Sequence, residues 1–387
     1  MKTKIKHISS YKLKDSWKNN RSRWGHSLHK MASRTGSFPP ALAHYFIIKY
    51  SNPGQIVLDC YSGKGTVPLE ACLNNRIGIG NDLAPEAYIL TSAKINPPSL
   101  IRFKEYLRNL KEEMDENVSI KGVDKNVKLF FHPRTLKQLV SLQKISLNDD
   151  SKESIFFKAI ICGILHGNSK LSLSLPCSHS FSMSPAYVRR YVKKHGLKKP
   201  YKDVLSSVDK RVEILVRDGL PKIKGKSYNK NILELKLKEK YVNLIVTSPP
   251  YFEKQTYAWD NWLRLWFLGY DYKNIRKTLF ETSSKDKYFA FMEKNLAKMY
   301  NFLSDDSAAF IVVGDSKVNG TVINIAEMLV PSAQKVGFKV KRIIDDPIPK
   351  NKKYFTFIND GDGIRKDRIL ELHKGNVKVN DVKITWN

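Results

Sequence analysis

Residues 247–251 read TSPPY, directly after the run LIV. Two prolines lack the N–H that a central ladder needs, and they hold the backbone extended and stiff. A strand must therefore end at Thr247 and present Tyr251 on a rigid edge. Pro-Pro alone is commonly no more than a strand exit. A second stretch, DCYSGKGT (59–66), sits between an apolar run and a helical pattern. Gly63 and Gly65 let the backbone approach a ligand closely and leave N–H groups exposed. The pattern is neither the GxxxxGK[ST] of a phosphate loop nor the full GxGxxG of a dinucleotide site. The next apolar run ends in Asp82. A carboxylate there can accept both ribose hydroxyls of an adenosine-like cofactor, or cap the helix begun by PEAY. The two roles are compatible.

These groups need elements to hold them. IVLDC (56–60) reads as a strand, VPLEACLNN as a helix and RIGIGND (76–82) as a second strand. Residues 51–96 thus form a β-α-β unit with parallel strands expected. Before it, PPALAHYFIIKY (39–50) reads as a helix opened by proline. Residues 97–222 read as a mostly helical insertion. It has a charged amphipathic helix at 101–116, helical patterns at 131–145 and 152–166, and a run that is basic from Arg189 to Lys226. Its length far exceeds an ordinary connection, so a separate role is expected. The α/β pattern then resumes. NILEL (231–235) and KYVNLIVT (240–247) read as strands, 257–268 and 286–303 as helices, and 306–316 as a strand. TVINIAEMLVPSAQKVG reads as a helix, and FKVKRIIDD and RILELHK (368–374) as the closing strands.

The 387 residues carry 67 Lys+Arg against 37 Asp+Glu, a net charge of +30, with 42% hydrophobic residues. That excess repels itself unless a polyanion offsets it: nucleic acid first, a membrane surface second. A lysine-rich genome is the bland alternative. Residues 1–34 hold ten Lys or Arg against the single Asp15, with Trp17 and Trp24 among them. Such a segment fits a phosphate backbone or a solvated tail. Cys60, Cys72, Cys162 and Cys177 form no CxxC pair, so no structural zinc is expected, and His132, His166, His179 and His195 lack metal-ligand spacing. A chain this large and cysteine-poor needs no disulfide staples, which fits a reducing, cytoplasmic setting. The N-terminus lacks the apolar core of a signal peptide, and IFFKAIICGIL (155–165) is too short for a membrane span.

VLDCYSGKGT followed by IGIGND and later TSPPY resembles the amino-methyltransferases that use S-adenosylmethionine. The likeness is greatest to DNA N4-cytosine methyltransferases of restriction-modification systems. In that family the first pattern is usually DPFxGxGT; here Cys60 and Tyr61 stand for Pro and Phe, and Tyr61 keeps an aromatic face. The resemblance implies an α/β, Rossmann-like methyltransferase fold: a mostly parallel sheet, an antiparallel last strand and a large helical insertion. It divides the chain into a basic arm with the cofactor half (1–96), a candidate target-recognition insertion (97–222) and a catalytic half (223–387). It implies S-adenosyl-L-methionine held by Arg34, Thr35 and Gly36 of SRTGSFPP, by Asp59, Tyr61, Ser62, Gly63, Gly65 and Thr66, and by Asp82 and Thr247. It implies a catalytic corner of Ser248, Pro249, Pro250 and Tyr251.

On that reading the Ser248 hydroxyl and the Pro249 carbonyl accept hydrogen bonds from an exocyclic amine, and Tyr251 stacks on its base. The base must first be flipped out of a duplex. No strong general base is needed, because the amine proton can leave after transfer. Ser at the first position of the four-residue core favours cytosine N4; Asp or Asn there is usual for adenine N6. Asp315 of VVGDS is a lesser candidate for lining the base pocket. The implied partner is double-stranded DNA, with room for a companion restriction endonuclease acting separately and no membrane. The alternatives are an N6-adenine enzyme, an RNA amino-methyltransferase, and a cofactor-free DNA-binding scaffold.

Overall fold

A computed structural model describes residues 5–20, 24–33, 37–176, 184–238, 241–252, 256–318, 321–348 and 366–386. Among these, ten strands run in chain order: β1 (His7–Ser9), β2 (Ile56–Asp59), β3 (Ile77–Asn81), β4 (Lys226–Tyr228), β5 (Val242–Thr247), β6 (Leu303–Gly314), β7 (Ser316–Val318), β8 (Thr321–Ile323), β9 (Lys339–Pro347) and β10 (Lys366–Lys374). Eight form one sheet in the order β1-β9-β10-β6-β5-β2-β3-β4, and β7 and β8 form a hairpin. β10 runs against both its neighbours, and every other pairing in the large sheet is parallel. This is the expected Rossmann-like sheet with its antiparallel last strand.

The central strands are apolar on both faces, as parallel strands covered on both sides must be. Along β6, Phe310 and Val312 join the cluster that packs α1 (Pro40–Tyr50), while Ile311 and Val313 face the opposite cluster. The opposite face carries two long helices introduced below. After β2 the chain makes α2 (Thr66–Leu73), β3 and α3 (Pro85–Ile95), moving outward through the sheet. It then returns to β5 on the other side of β2. The crevice beyond the carboxyl ends of β2 and β5 is thus the topological switch point, where open α/β sheets bind ligands.

The insertion is helical: α4 (Leu100–Glu113), α5 (Lys125–Lys128), α6 (Pro133–Ser146), α7 (Lys152–Ile164), α8 (Pro185–His195) and α9 (Val204–Leu215). Its core is continuous with the rest. Phe103, Leu139, Phe157 and Val208 share one cluster with Leu90 of α3 and with Leu263 and Phe267 from the second half. The remaining helices are α10 (Tyr257–Asp260), α11 (Trp262–Phe267), α12 (Tyr272–Thr278), α13 (Lys285–Phe302) and α14 (Ile325–Val336), with α13 and α14 on the second face of the sheet.

Four local expectations are corrected. NILEL is not a strand: Asn231 accepts the Leu233 N–H at 3.1 Å and caps a 3₁₀ turn, Ile232–Glu234. The sheet strand is the earlier Lys226–Tyr228. The helix at 257–268 is two short ones broken at Asn261, whose amide donates to the Tyr257 carbonyl and accepts from Arg264. Thr321–Ile323 pairs as a strand, and α14 starts only after Asn324 caps it through the Glu327 N–H.

The basic arm, finally, is no free tail over its described part. β1 pairs with β9, and Trp17 is fully buried with its indole N–H on Asp346. Ser10 donates to that carboxylate at 2.8 Å, and Lys18 pairs with it. Trp24 packs edge-on against His44 and Trp386.

Candidate active site

The turn after β2 is shaped by glycine. Gly63 and Gly65 have φ of 52° and 74°, in the left-handed region. A Cβ on Gly65 would lie 2.9 Å from the Thr91 Cα. The turn closes with the Gly65 N–H donating to the Ser62 carbonyl at 2.7 Å, and Ser62 Oγ lies 3.0 Å from Thr91 Oγ1. Beneath it Lys94, wholly buried on α3, donates to the Lys64 carbonyl at 2.5 Å. Burial holds the Lys94 ammonium well below its ordinary range. Asp82 lies across the turn: its Oδ2 accepts the Gly63 N–H at 2.8 Å and its Oδ1 the Ala84 N–H at 2.9 Å. It therefore serves the start of α3 while keeping lone pairs for a ligand.

Asp59, at the end of β2, is 2% exposed. Its Oδ1 accepts the Thr247 hydroxyl at 2.7 Å and the Tyr61 N–H at 3.2 Å. Burial pushes its carboxyl up to about 7, against which these two hydrogen bonds act. Thr247 Oγ1 also accepts the Tyr61 N–H at 3.2 Å, so one threonine at the end of β5 ties both loops together. Beyond it the Ser248 hydroxyl donates to the Val312 carbonyl at 3.0 Å. With its proton so used, its oxygen has only lone pairs to offer elsewhere. Tyr288 of α13 donates to the Pro250 carbonyl at 3.2 Å. The Tyr251 hydroxyl lies 3.5 Å from Asp367 Oδ1, and burial raises its pKa well above the ordinary phenol range.

One cleft of about 410 Å³ joins the two loops. Asp59, Tyr61, Ser62, Gly63, Thr66 and Asp82 line one end, and Ser248 and Pro250 the other. Gly65, Thr247, Pro249 and Tyr251 adjoin these residues in the chain and are not themselves part of the lining. Arg34, Thr35 and Gly36 lie outside the described residues, but Ser37 and Phe38, next in the chain, line the cleft. Lining residues not foreseen from sequence include Asn81, Lys230, Asn231, Tyr257, Phe280 and Phe291. Phe280 and Phe291 lie face to face, centroids 3.8 Å apart and planes 4° apart. Asn81, adjacent to Asp82, and Tyr257, in the aromatic run TYAWDNW, carried a sequence signal. Asp315 is engaged by Arg368 through three N···O contacts of 2.9 to 3.2 Å. Cys60 is a wholly buried turn residue.

The donor set suits a nucleoside cofactor. The Asp82 carboxylate stands at one end; the Gly63 and Gly65 N–H groups, expected from the sequence to be exposed, are taken by Asp82 and the Ser62 carbonyl. Two buried polar atoms in the lining, Thr66 Oγ1 and Asn81 Oδ1, have no partner of their own. Apolar side chains from Phe38, Ile232 and Leu279 complete the wall. Among the described residues no group of three or more His, Cys, Asp or Glu is placed to hold a metal ion, and no helix is long and apolar enough to cross a membrane.

A family model described as DNA methylase, of the N6/N4 type, matches residues 1–93 and 242–384, together well over half of the chain. The type II methyltransferase M.MjaII of Methanocaldococcus jannaschii is 28% identical over 143 residues, 34% of this chain and 26% of that protein. The chain thus spans about a quarter of the length of this curated relative. Among solved structures, TrmN from Thermus thermophilus aligns over 90% of this chain and 52% of its own at 12% identity, with a TM-score of 0.36. TTHA0409 from the same organism, complexed with S-adenosyl-L-methionine, aligns over 40% of this chain and 54% of its own at 17% identity, with a TM-score of 0.25. By the family match, this chain belongs to the N6/N4-type DNA methylases, whose cofactor is S-adenosylmethionine.

Proposed function

We propose that this protein methylates the exocyclic N4 of cytosine in double-stranded DNA, on a base flipped out of the helix. The observation that carries the reading is the single cleft shared by the Gly63–Asp82 end and the Ser248–Pro250 corner. When bound, S-adenosylmethionine supplies an electrophilic methyl group. Asp82 and Thr66 hold the cofactor at one end, with Arg34, Thr35 and Gly36 proposed to close over it. Asp59 and Thr247 brace the two loops against each other. Ser248 offers oxygen lone pairs to the amine, and the Pro249 carbonyl is the second acceptor, since that of Pro250 is already engaged by Tyr288. The nitrogen lone pair is drawn into the ring and is a poor nucleophile, but the sulfonium methyl is strongly electrophilic, so holding the amine in line with it is most of the work. The amine proton leaves to solvent afterwards. Tyr251, Tyr257 or the Phe280–Phe291 pair supplies the face on which the base rests.

The insertion, 97–222, is the proposed recognition region, between the cofactor half and the catalytic half. No Asp or Glu occurs between Glu153 and Asp203. Within that stretch α8 buries only Val188 and exposes Arg189, Arg190, Lys193 and Lys194. Such a helix suits a phosphate backbone.

The test is incubation of the purified protein with labelled S-adenosylmethionine and either duplex DNA or transfer RNA, followed by digestion to nucleosides. The expected product is N4-methylcytosine from DNA alone. N6-methyladenine, or label in RNA, would replace this reading with one of its alternatives. Tyr251→Ala should abolish transfer and leave cofactor binding largely intact; loss of cofactor binding instead would move Tyr251 to the other end of the site.

A further inference from the structure

The loops that carry the cofactor turn and the proline corner follow different strands, and each extends past the ladder that registers those strands. One helix touches both. Along α13, Tyr288, Met292, Asn295 and Met299 form a wholly buried stripe at helical spacing. Two of the four are polar, and each reaches a different loop. Tyr288 donates its hydroxyl to the Pro250 carbonyl at 3.2 Å. Asn295 Oδ1 accepts the Tyr61 hydroxyl at 2.9 Å, while its Nδ2 donates to the Phe291 carbonyl at 2.7 Å and so fixes which way the amide points.

Met or Leu would fill these places with no directional demand. Buried Tyr and Asn keep their hydrogen bonds only if both loops stay in one register relative to the helix. The Tyr61 hydroxyl is itself an addition to the aromatic ring, and a hydroxyl buried there needs a partner; Asn295 is that partner. The helix is well held. Ser284 caps it through the Lys287 N–H, Leu296 packs in the cluster beneath the sheet, and Glu293 pairs with Lys335 of α14 at 2.6 Å. Tyr288 and Asn295 are seven residues apart, about 10 Å along the axis.

We infer that α13 is the spacer that sets the distance between methyl donor and acceptor amine, with Tyr288 and Asn295 as positioning residues. This rests on the assignment of the cofactor to the Gly63 turn and of the amine to the Ser248–Tyr251 corner. Transfer in line is sensitive to misplacement of even 1 Å, so loosening either bond lowers the rate of the chemical step.

The test uses the full chain, with three readouts: cofactor dissociation constant by equilibrium dialysis, single-turnover methyl transfer to DNA at saturating cofactor, and thermal midpoint. Tyr288→Phe removes one oxygen. It should slow transfer about tenfold with the dissociation constant changed less than about twofold and the midpoint little moved. Asn295→Ala, which strands the Tyr61 hydroxyl, should lower the midpoint, weaken cofactor binding about tenfold and slow transfer at saturating cofactor about tenfold. Tyr61→Phe combined with Asn295→Leu replaces both polar partners; it should restore the midpoint but leave transfer slow. Wild-type transfer by Tyr288→Phe, or full recovery of rate in the double variant, would reduce the stripe to ordinary packing and overturn the inference. Should Tyr288→Phe not fold, the Asn295 series decides alone. A wild-type protein that binds no cofactor takes down the site assignment, and the inference with it.

Discussion

At the scale of single residues the unusual group is Asp59. Its ordinary carboxyl value is 3.8, and burial lifts it to about 7. Between those values the folded state binds a proton that the unfolded state has released, so the contribution of Asp59 to stability is greatest below about pH 4 and is lost as pH rises towards 7. A shift of that size corresponds to a loss on the order of 4 kcal/mol. Asp59→Asn should flatten this part of the stability–pH curve in denaturant titrations. The same carboxyl lines the cleft, and a cationic sulfonium favours its ionised form. Cofactor affinity should therefore tighten about tenfold from pH 6 to pH 8. An unchanged slope in Asp59→Asn would assign the titration to another group. Asp82→Ala removes the acceptor of two backbone N–H groups and of the proposed ribose hydroxyls. Cofactor affinity should drop about 10- to 100-fold. An unaltered dissociation constant would remove Asp82 from the cofactor site.

At the scale of elements, what matters is how α7 and α11 seat the segment that leads to residues 34–36. Gly163 of α7 passes so close to that segment that a Cβ would meet the Met31 carbonyl at 1.9 Å. Arg264 of α11 donates to the Ser33 and Cys162 carbonyls at 2.7 and 2.9 Å. Two helices, one from the insertion and one from the second half, thus grip the chain just before its proposed closure over the cofactor. Gly163→Ala must push Met31 away. A loss of about 1–3 kcal/mol in thermal or denaturant unfolding is expected, along with weaker cofactor binding. A variant as stable as wild type would show that the backbone contact yields freely.

At the scale of the molecule, the charge of +30 is unevenly used. Part of it is internal: Lys18 pairs with the buried Asp346, and Lys49 donates to the Val382 carbonyl at 2.5 Å. α4 mixes its Arg102, Lys104, Arg108 and Lys111 with Glu105, Glu112 and Glu113, whereas α8 has no acid at all. Replacing Arg189, Arg190, Lys193 and Lys194 by Gln should lower the slope of log affinity for DNA against log salt by about 3–4. The same change at the four basic residues of α4 should leave it nearly unaltered. Equal effects would mean that net charge alone, and no particular surface, draws the nucleic acid.

How much could be read without coordinates follows from what is local. Pro249–Pro250 end a strand because proline has no N–H to donate, and Gly63 and Gly65 permit a turn because they lack a Cβ; both facts belong to the residues themselves. Apolar runs such as IVLD, IGIGN and VNLIVT announce buried strands by composition, and the helices of the insertion by periodicity. A strand such as Lys226–Tyr228 has no such mark: it is three residues long, and only β3 beside it makes it a strand. NILEL carries the apolar content of a strand, yet the Asn231 side chain turns it. The partners of the two loops were equally hidden. That Tyr288 would meet Pro250, and Asn295 would meet Tyr61, depends on α13 packing beneath the sheet, with 38 and 234 residues of chain between the partners. Local chemistry set the ends of strands and the shape of turns; which distant side chains complete the cleft was decided only when β5 paired with β2 and α13 packed beneath the sheet.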